Sequence, residues 1–396
     1  MFSSRRYMLQ LAAALILAVV TYPAIAAEGR IPIPFTSPPA TPINITSPGK
    51  YILTRPLKAT AAGPVINIAV GVGVGASEVD IDLNGFTLDA SASGAACIRG
   101  SSLPGSTAEI SIRNGAIQGG VNGIQLVGAP GAPLRKVVIE GVRIGGTTSN
   151  AVQISDAQNF LLRDIILIDA GVGAAGPAAG ILVGVGGGGL ALQGSIENNL
   201  IRNTKDGISV LGAAATPVTV ALLNNRLESI AAGGTTGDAI HLENDLGCLV
   251  SENTIREVLG GNGIRLVNTS GTKLFDNVVN RASASGIFVD AASGDNLVWR
   301  NVVQQAASSG LYVAGKRNQI DANLLNLNGR GLTLDLAAGA VQNVYRENTA
   351  RGNTGAAPCP GGLCSADFCG FAVGANSTQA DNWLPAVAGA PPACEK

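Results

Sequence analysis

Histidine, aromatic residues and charged residues are all scarce in this sequence, and that scarcity excludes several classes of function. His241 is the single histidine, so the chain has neither a histidine-rich metal site nor a His-Glu-x-x-His zinc helix. Charged residues account for 13% of the chain and form no basic stripe, so we expect no nucleic-acid partner. The sequence also contains no Walker loop and no Gly-x-Ser-x-Gly elbow.

Apolar residues are plentiful although aromatic rings are few. Hydrophobic residues make up 46% of the chain, whereas aromatic residues make up 4%. This content can bury a long core, which argues against the disorder that the 53 glycines would otherwise indicate. The composition therefore predicts a folded protein built from aliphatic and small side chains.

Residues 1–26 have the pattern of a signal peptide. Arg5 and Arg6 form a positive segment, residues 9–20 are apolar and uncharged, and Ala24-Ile25-Ala26 offers a cleavage site. The paired arginines also fit a twin-arginine signal, so both export routes stay open. We expect a periplasmic or secreted mature protein, with no membrane span.

The six cysteines are distributed unevenly. Cys97 and Cys248 lie several repeats apart, so we expect them to be buried free thiols. The other four crowd the last part of the chain, at Cys359, Cys364, Cys369 and Cys394. In an oxidising compartment these four can form two disulfides, and a metal site is the alternative.

One short motif recurs along the chain, namely Gly or Ala followed by an apolar–x–apolar triplet. Its copies begin at Gly123, Ala151, Gly207, Ala239, Gly263, Gly286, Gly310 and Gly331. A second signal is an asparagine before another apolar pair, found at Asn199, Asn225, Asn253, Asn277, Asn301, Asn323 and Asn348. Both series step by roughly 21 to 32 residues, which is typical of solenoid coils.

Each triplet predicts a short strand with one face inward and one face outward. Stacking roughly ten such coils at the ~4.8 Å strand spacing pairs every strand and produces a continuous core. Glycine supplies the bends, and an asparagine at the same place in each coil can form a hydrogen-bonded ladder. The repeat therefore predicts an all-β parallel solenoid.

From about Val65 to Ala350 these repeats resemble the right-handed parallel β-helix of the pectate-lyase-like superfamily. The resemblance implies a right-handed coil, and it implies a polysaccharide partner because the superfamily includes lyases, hydrolases and epimerases. The chain lacks the Asp-Pro-His-Asp sequence of alginate C5-epimerases and the motif set of polygalacturonases. The acidic calcium cluster of pectate lyases has no clear counterpart either, so the reaction and any cofactor, Ca²⁺ included, stay open.

The pattern divides the chain into four segments. We expect a signal peptide (1–26), an N-terminal arm and cap (27–64), the β-helix (65–350) and a Cys-rich C-terminal cap (351–396). Caps are needed because the open end of a solenoid exposes both core and backbone groups. In the C-terminal cap, the expected covering residues are Phe368, Phe371 and Trp383.

The repeat also aligns distant residues on one outward face. The residue between the two apolar ones forms the column Gln125, Gln153, Leu182, Ser209, His241, Arg265, Phe288, Tyr312 and Thr333. The second column, two residues further along, is Val127, Ser155, Gly184, Leu211, Glu243, Val267, Asp290, Ala314 and Asp335. Asp206 and Asp238 lie at the adjoining bends.

Polar and aromatic residues in neighbouring coils predict a polysaccharide site on this face. The expected catalytic residues are Glu243, Asp290 and His241, with either carboxylate as general acid or base. Arg265 would bind a uronate carboxylate, Asp238 would add acidity, and rings of Phe288 and Tyr312 would stack on sugars; no metal ligand is assigned.

Two functions remain open from the sequence. The first is an exported polysaccharide-binding or -processing protein of lyase, hydrolase or epimerase type, expected to be a monomer. The second is a non-catalytic envelope scaffold or adhesion protein, because any solenoid must place polar residues on its outside. A cleft holding convergent carboxylates would favour the first.

Overall fold

The computed structural model describes residues 29–33, 42–59, 62–69, 76–102, 107–129, 131–172, 174, 178–185, 192–231, 236–335, 338, 340–354, 368–369 and 377–378. These residues form β-strands and no helix. Within them, no helix is long and apolar enough to cross a membrane.

The strands in chain order are β1 (Ile31–Pro32), β2 (Ile43–Ile45), β3 (Gly49–Ile52), β4 (Leu57–Lys58), β5 (Ile66–Ile68), β6 (Ala76–Asp82), β7 (Thr87–Asp89), β8 (Ile98–Ser101), β9 (Thr107–Gln118), β10 (Ile124–Val127), β11 (Leu134–Gly145), β12 (Val152–Ser155), β13 (Asn159–Arg163), β14 (Ile166–Ala170), β15 (Ala179–Gly184), β16 (Gln193–Glu197), β17 (Leu200–Thr204), β18 (Asp206–Leu211), β19 (Thr219–Leu223), β20 (Arg226–Ile230), β21 (Ile240–Glu243), β22 (Leu249–Ser251), β23 (Thr254–Val258), β24 (Ile264–Val267), β25 (Lys273–Phe275), β26 (Val278–Ala282), β27 (Ile287–Val289), β28 (Leu297–Trp299), β29 (Val302–Gln304), β30 (Ser309–Val313), β31 (Gln319–Asp321), β32 (Leu324–Asn326), β33 (Arg330–Leu334), β34 (Val344–Arg346), β35 (Thr349–Arg351), β36 (Phe368–Cys369) and β37 (Ser377–Thr378).

All paired strands run parallel, each with the equivalent strand one coil away. The front sheet contains thirteen strands in the order β2-β5-β8-β10-β12-β15-β18-β21-β24-β27-β30-β33-β36. The remaining 24 strands form the other walls, which join where β9 pairs with two strands of the preceding coil and β11 with two strands of the following coil. The right-handed parallel β-helix predicted from the repeat is therefore confirmed.

Alternation within each strand separates core from surface. Along the front sheet, Ile208, Ile240, Ile264, Ile287 and Leu311 stack in register and each is at most 1% exposed. The residues between the two inward ones point outward. The apolar–x–apolar triplets thus form one continuous aliphatic column, as the sequence predicts.

An asparagine ladder runs through the bend opposite the front sheet. The backbone N–H and side-chain amide of Asn253 both donate to Asn277 Oδ1, at 3.1 and 3.0 Å. Asn277 repeats the pattern on Asn301, and Asn301 on Asn323. Each ladder residue follows a residue with positive φ, such as Asp276 at 56°. The left-handed turn directs the amide into the bend, where it satisfies buried backbone groups.

Strand pairing extends beyond residues 65–350 at both ends. Strand β1 pairs with β3, and β2 pairs with β5, inside the expected N-terminal arm and cap. Phe368 and Cys369 form β36, which pairs with β33. The predicted positions Cys359, Cys364, Cys394, Phe371 and Trp383 lie outside the described residues.

One carboxylate is buried near the edge of the core. Asp245 is 3% exposed and lies beside Cys248, whose thiol donates to the Val218 carbonyl at 3.5 Å. Burial is the largest cause that raises the pKa of Asp245, to about 8. Cys97 and Cys248 are both buried and unbridged, as their spacing predicts.

Replacing a central ladder residue should destabilise the solenoid. Asn277→Ala removes the acceptor of the buried Asn253 backbone N–H and the side-chain donor to the Val250 carbonyl, so we expect a loss of about 2–4 kcal/mol in unfolding free energy. Chemical denaturation measures this loss. Asn159→Ala, at an exposed position, is the control, with an expected change within about 0.5 kcal/mol. Equal effects would contradict the ladder's role.

Stability should also fall with rising pH because of Asp245. The folded state keeps this carboxyl protonated to about pH 8, whereas the unfolded chain ionises it near its ordinary value of 3.8. The folded state thus binds the extra proton, and its stabilising contribution is lost as pH rises from about 4 to 8, by at most about 1.4 kcal/mol per pH unit. Denaturation of Asp245→Asn across this range should show a flatter profile and higher stability at the alkaline end than the parent protein.

Candidate functional site

A cleft opens on the outer face of the front sheet, across β15, β18, β21 and β24. Its volume is about 570 Å³. The polar side chains that line it are Asn150, Lys205, Asp206, Ser209, Thr236, Asp238, His241, Glu243, Asn262 and Arg265. Four of the seven predicted site residues, Asp238, His241, Glu243 and Arg265, therefore lie in one cavity.

The register of the front sheet brings these residues together. His241 on β21 pairs with Ser209 on β18 and with Arg265 on β24. Glu243, two positions after His241, lies on the same face, and its Oε2 is 3.7 Å from His241 Nε2. The strand register confirms the first predicted column from Gln125 to Thr333 and the second from Val127 to Val267, although Thr333 is buried.

A second ladder runs along the bend that precedes each front strand, and it supplies the acidic residues. Its members are Asn122, Asn150, Ala179, Asp206, Asp238, Asn262 and Ser285. In five of the six steps the backbone N–H of one member donates to the side-chain oxygen of the member before it; the exception is Asp206, whose N–H donates to the Ala178 carbonyl. Asp206 Oδ1 accepts from the Asp238 N–H at 3.1 Å, and Asp238 Oδ1 accepts from the Asn262 N–H at 2.7 Å. Two adjacent carboxylates therefore occupy places where neighbouring coils carry amides.

Small residues make the cavity and allow the backbone to approach the carboxylates. Ala178 and Ala179 line the cleft on the coil before Asp206. A Cβ on Gly237 would lie 2.6 Å from Asp206 Oδ1, and one on Gly261 would lie 2.7 Å from Asp238 Oδ1. Because neither position has room for a side chain, the carboxylates of this bend stay open to the cleft.

The electrostatics of the cleft favour a neutral histidine and a protonated carboxyl. Burial is the main cause that raises the pKa of Asp206 to about 6, assisted by the charge of Asp238. Burial also lowers the pKa of His241 below its ordinary 6.5; Arg265 lowers it further, while Asp238 and Glu243 oppose the shift. Arg265 Nη1 lies 3.5 Å from Asp238 Oδ2, so the guanidinium bridges the bend and the strand face.

Asp290, Phe288 and Tyr312 lie on the same sheet but do not line the cleft. Asp290 is two coils beyond Glu243, and its Oδ1 accepts from the Asn268 N–H at 3.1 Å and the Ser293 hydroxyl at 2.6 Å. The Asp290 carboxylate therefore accepts hydrogen bonds that hold a turn together.

The two aromatic rings stack on each other. Their centroids are 5.0 Å apart with an interplanar angle of 2°, and the Arg265 guanidinium lies 6.0 Å from the centre of the Phe288 ring. The Tyr312 hydroxyl donates to the Asp335 carboxylate, and burial with this bond raises the Tyr312 pKa to about 12. Because the rings of Phe288 and Tyr312 stack face to face, mainly their edges point away from the sheet.

Sequence reasoning placed Asp206 beside the site, at an adjoining bend, and did not assign Lys205, Ser209 or Asn262 to it. A signal for Asn262 existed, because it occupies, like Asp206, the position directly before Gly in the repeat motif. Lys205 lies at the rim and donates to the Ala174 carbonyl at 3.1 Å. In the part of the chain that the structure describes, no group of three or more His, Cys, Asp or Glu side chains is arranged to hold a metal ion.

The pKa of His241 should respond in opposite directions to its two neighbours. Asp238→Asn removes a negative charge and should lower the pKa, whereas Arg265→Gln removes a positive charge and should raise it. Because His241 is the only histidine, its imidazole signals can be followed by NMR titration without assignment. Shifts in the same direction in both variants would contradict the described geometry.

Solved structures with a similar fold include two epimerases and a phage protein. A variant of the periplasmic alginate epimerase AlgG has a TM-score of 0.53 at 12% identity, covering 81% of this chain and 77% of that one. The A-module of the mannuronan C-5 epimerase AlgE6 from Azotobacter vinelandii has 0.54 at 14%, covering 86% and 92%. Tailspike protein 3 of bacteriophage CBA120 has 0.50 at 10%, covering 91% and 56%. Identities this low show a shared fold alone.

No curated protein sequence matches this chain. The family model described as "Right handed beta helix region" matches residues 150–327 and 216–381, which together span more than half of the chain. By this match, and by the parallel coil that carries the cleft, the chain belongs to the right-handed β-helix family.

Proposed function

We propose that this protein binds and processes a polysaccharide in the cleft of the front sheet. The observation that carries the proposal is the convergence of His241, Asp206, Asp238 and Arg265 on one open cavity of about 570 Å³. Pockets that combine small apolar walls with a few convergent polar groups and perturbed pKa values are typical of active sites.

The basic groups of the cleft suit an acidic sugar. Arg265 is partly exposed, and its planar guanidinium can bind a uronate carboxylate through two parallel hydrogen bonds. Lys205 adds a second positive charge at the rim. These cations would neutralise the charge that develops when a proton is removed beside the carboxylate.

His241 is the proposed base. Its pKa is lowered by burial, so the imidazole is neutral near pH 7 and can accept a proton. Glu243, 3.7 Å from Nε2, stabilises the imidazolium that forms. Proton removal next to a carboxylate is a step common to elimination and epimerisation, so the cleft favours a lyase or epimerase over a hydrolase.

Asp290, Phe288 and Tyr312 are proposed to contact the glycan outside the cleft. They continue its outward columns along the coil axis, so a chain bound along this axis would reach them. Ring edges and the Arg265–Phe288 pair, rather than a free ring face, would provide the contact.

The fold comparisons support a polysaccharide as the ligand. By their names, AlgG and AlgE6 are an alginate epimerase and a mannuronan C-5 epimerase. Since this chain lacks Asp-Pro-His-Asp, the support extends to the ligand class rather than to epimerisation. The signal-peptide pattern of residues 1–26 supports export to the periplasm or beyond. We propose that the exported protein acts as a monomer.

A non-catalytic scaffold is the alternative function. It predicts polar residues spread evenly over the outer faces, without a cleft in which carboxylates and a neutral histidine converge. The cavity at β18, β21 and β24 therefore favours the enzyme.

Loss of Arg265 should weaken glycan binding. Arg265→Gln removes the charge-assisted contact, so we expect affinity for a uronate oligosaccharide to fall by about 1.5–3 kcal/mol, equivalent to ten- to hundredfold. Calorimetric titration and a product assay over uronate-containing and neutral glycans, with and without calcium, provide the measurement.

Arg317→Gln is the matched control. Arg317 forms an exposed pair with Asp295 at 2.6 Å, away from the cleft, and its loss should leave affinity unchanged. The absence of binding or turnover with every glycan in the panel would refute the proposed function and favour the scaffold.

A further inference from the structure

The ladder at the bend before the front strands carries carboxylates instead of amides at two successive coils, those of Asp206 and Asp238. Asn122 accepts from both the backbone N–H and the side-chain amide of Asn150, so amide pairs with amide. Asn262 likewise donates its side-chain amide to Asp238 Oδ1, at 3.0 Å. Between Asp206 and Asp238, however, the backbone bond at 3.1 Å remains and neither side chain has an N–H to donate to the other.

Two neighbouring carboxylates of this kind resist double ionisation. Asp238 is 6% exposed, already receives two bonds from Asn262, and lies 3.5 Å from the Arg265 guanidinium. Among the described residues, Asp206 accepts only the Asp238 N–H and forms no ion pair, and the coil before it offers only Ala179 at the ladder position. The proton is therefore best held on the Asp206 side of the pair.

A second feature indicates that a ligand is bound beside Asp206. Ser209, on the same strand, is 3% exposed, and its Oγ finds no hydrogen-bond partner among the described residues. Ser209 nevertheless lines the cleft together with Asp206. Because a buried hydroxyl without a partner costs about 1–3 kcal/mol, this donor is better explained by a ligand oxygen that completes its bonding.

We propose that the Asp206–Asp238 pair carries one proton, held on Asp206, and that Asp206 donates it as a hydrogen bond to an oxygen of the bound ligand, next to Ser209. This role adds a neutral acid to a cleft whose other charged and titratable groups are Lys205, Asp238, His241, Glu243 and Arg265. The identity of the ligand as a glycan rests on the proposed function, whereas the proton on Asp206 does not.

The pKa of Asp206, raised to about 6 mainly by burial, agrees with this assignment. Lys205 and Arg265 oppose the shift and Asp238 supports it. Ionisation of Asp206 at higher pH would remove the donor and place a second negative charge in the cleft, so an acidic ligand should bind less tightly there.

The first test needs no ligand. Carboxyl-carbon NMR of the full chain should show one aspartate that titrates near pH 6 and disappears in Asp206→Asn. In Asp238→Asn the same signal should titrate at lower pH, because the neighbouring charge is gone. An Asp206 signal that titrates near its ordinary value of 3.8, unchanged by Asp238→Asn, would overturn the assignment of the proton to Asp206.

The second test uses mannuronate oligosaccharides as the probe. Between about pH 5 and pH 8 the affinity of the parent protein should fall at least about tenfold. Asp206→Asn keeps a donor and matches the amides of the ladder, so its affinity should change less over this range and exceed that of the parent at the alkaline end.

Asp206→Ala, which has no donor, should bind weakly at every pH. His241 titrates in all three proteins and therefore cannot produce a difference between them. If the parent and Asp206→Asn share one pH profile, Asp206 is not the donor and the inference fails. If the parent binds no glycan, the proposed function fails, and the NMR titration still decides whether Asp206 holds the proton.

Discussion

The whole structure depends on satisfying the backbone where each coil bends. Strands can stack on strands indefinitely, but at a bend the chain turns through a left-handed residue and leaves buried N–H and C=O groups. Asparagine satisfies these groups because its side-chain amide both accepts and donates hydrogen bonds. Asn253, Asn277 and Asn301 therefore form hydrogen bonds with the backbone and with each other. Without that ladder, the aliphatic column inside would have no fixed register.

The cleft is a local departure from the same rule. At the bend before the front strands, the ladder of amides gives way to Ala179, Asp206 and Asp238 over three successive coils. The alanine opens space, and the carboxylates introduce charge that a regular coil avoids. Partly buried carboxyls and a neutral histidine then become neighbours, because Asp238 and His241 lie on the coil directly after that of Asp206. The departures from the amide ladder are thus the same features that bring titratable side chains and an open cavity together.

Individual residues show how far pattern reasoning extends. His241 and Arg265 were placed side by side from the repeat alone, and the strand register agrees. Asp290 lies on the predicted column, yet its carboxylate bonds to Ser293 in a turn, because side-chain direction depends on nearby donors that periodicity does not describe. Phe288 and Tyr312 share the predicted face, but their rings stack on each other because the distance between neighbouring coils places them about one ring spacing apart.

The amino-acid sequence by itself determined the coil, the inward and outward faces and the alignment of distant residues. These follow from a period of two within strands and from asparagine and glycine at the bends, which are local properties repeated many times. Only the tertiary structure decided which outward residues share a cavity and which carboxyl in it has a raised pKa. Those properties depend on burial and on neighbours some thirty residues away, such as Asp206 and Asp238, whose separation across coils no local pattern measures.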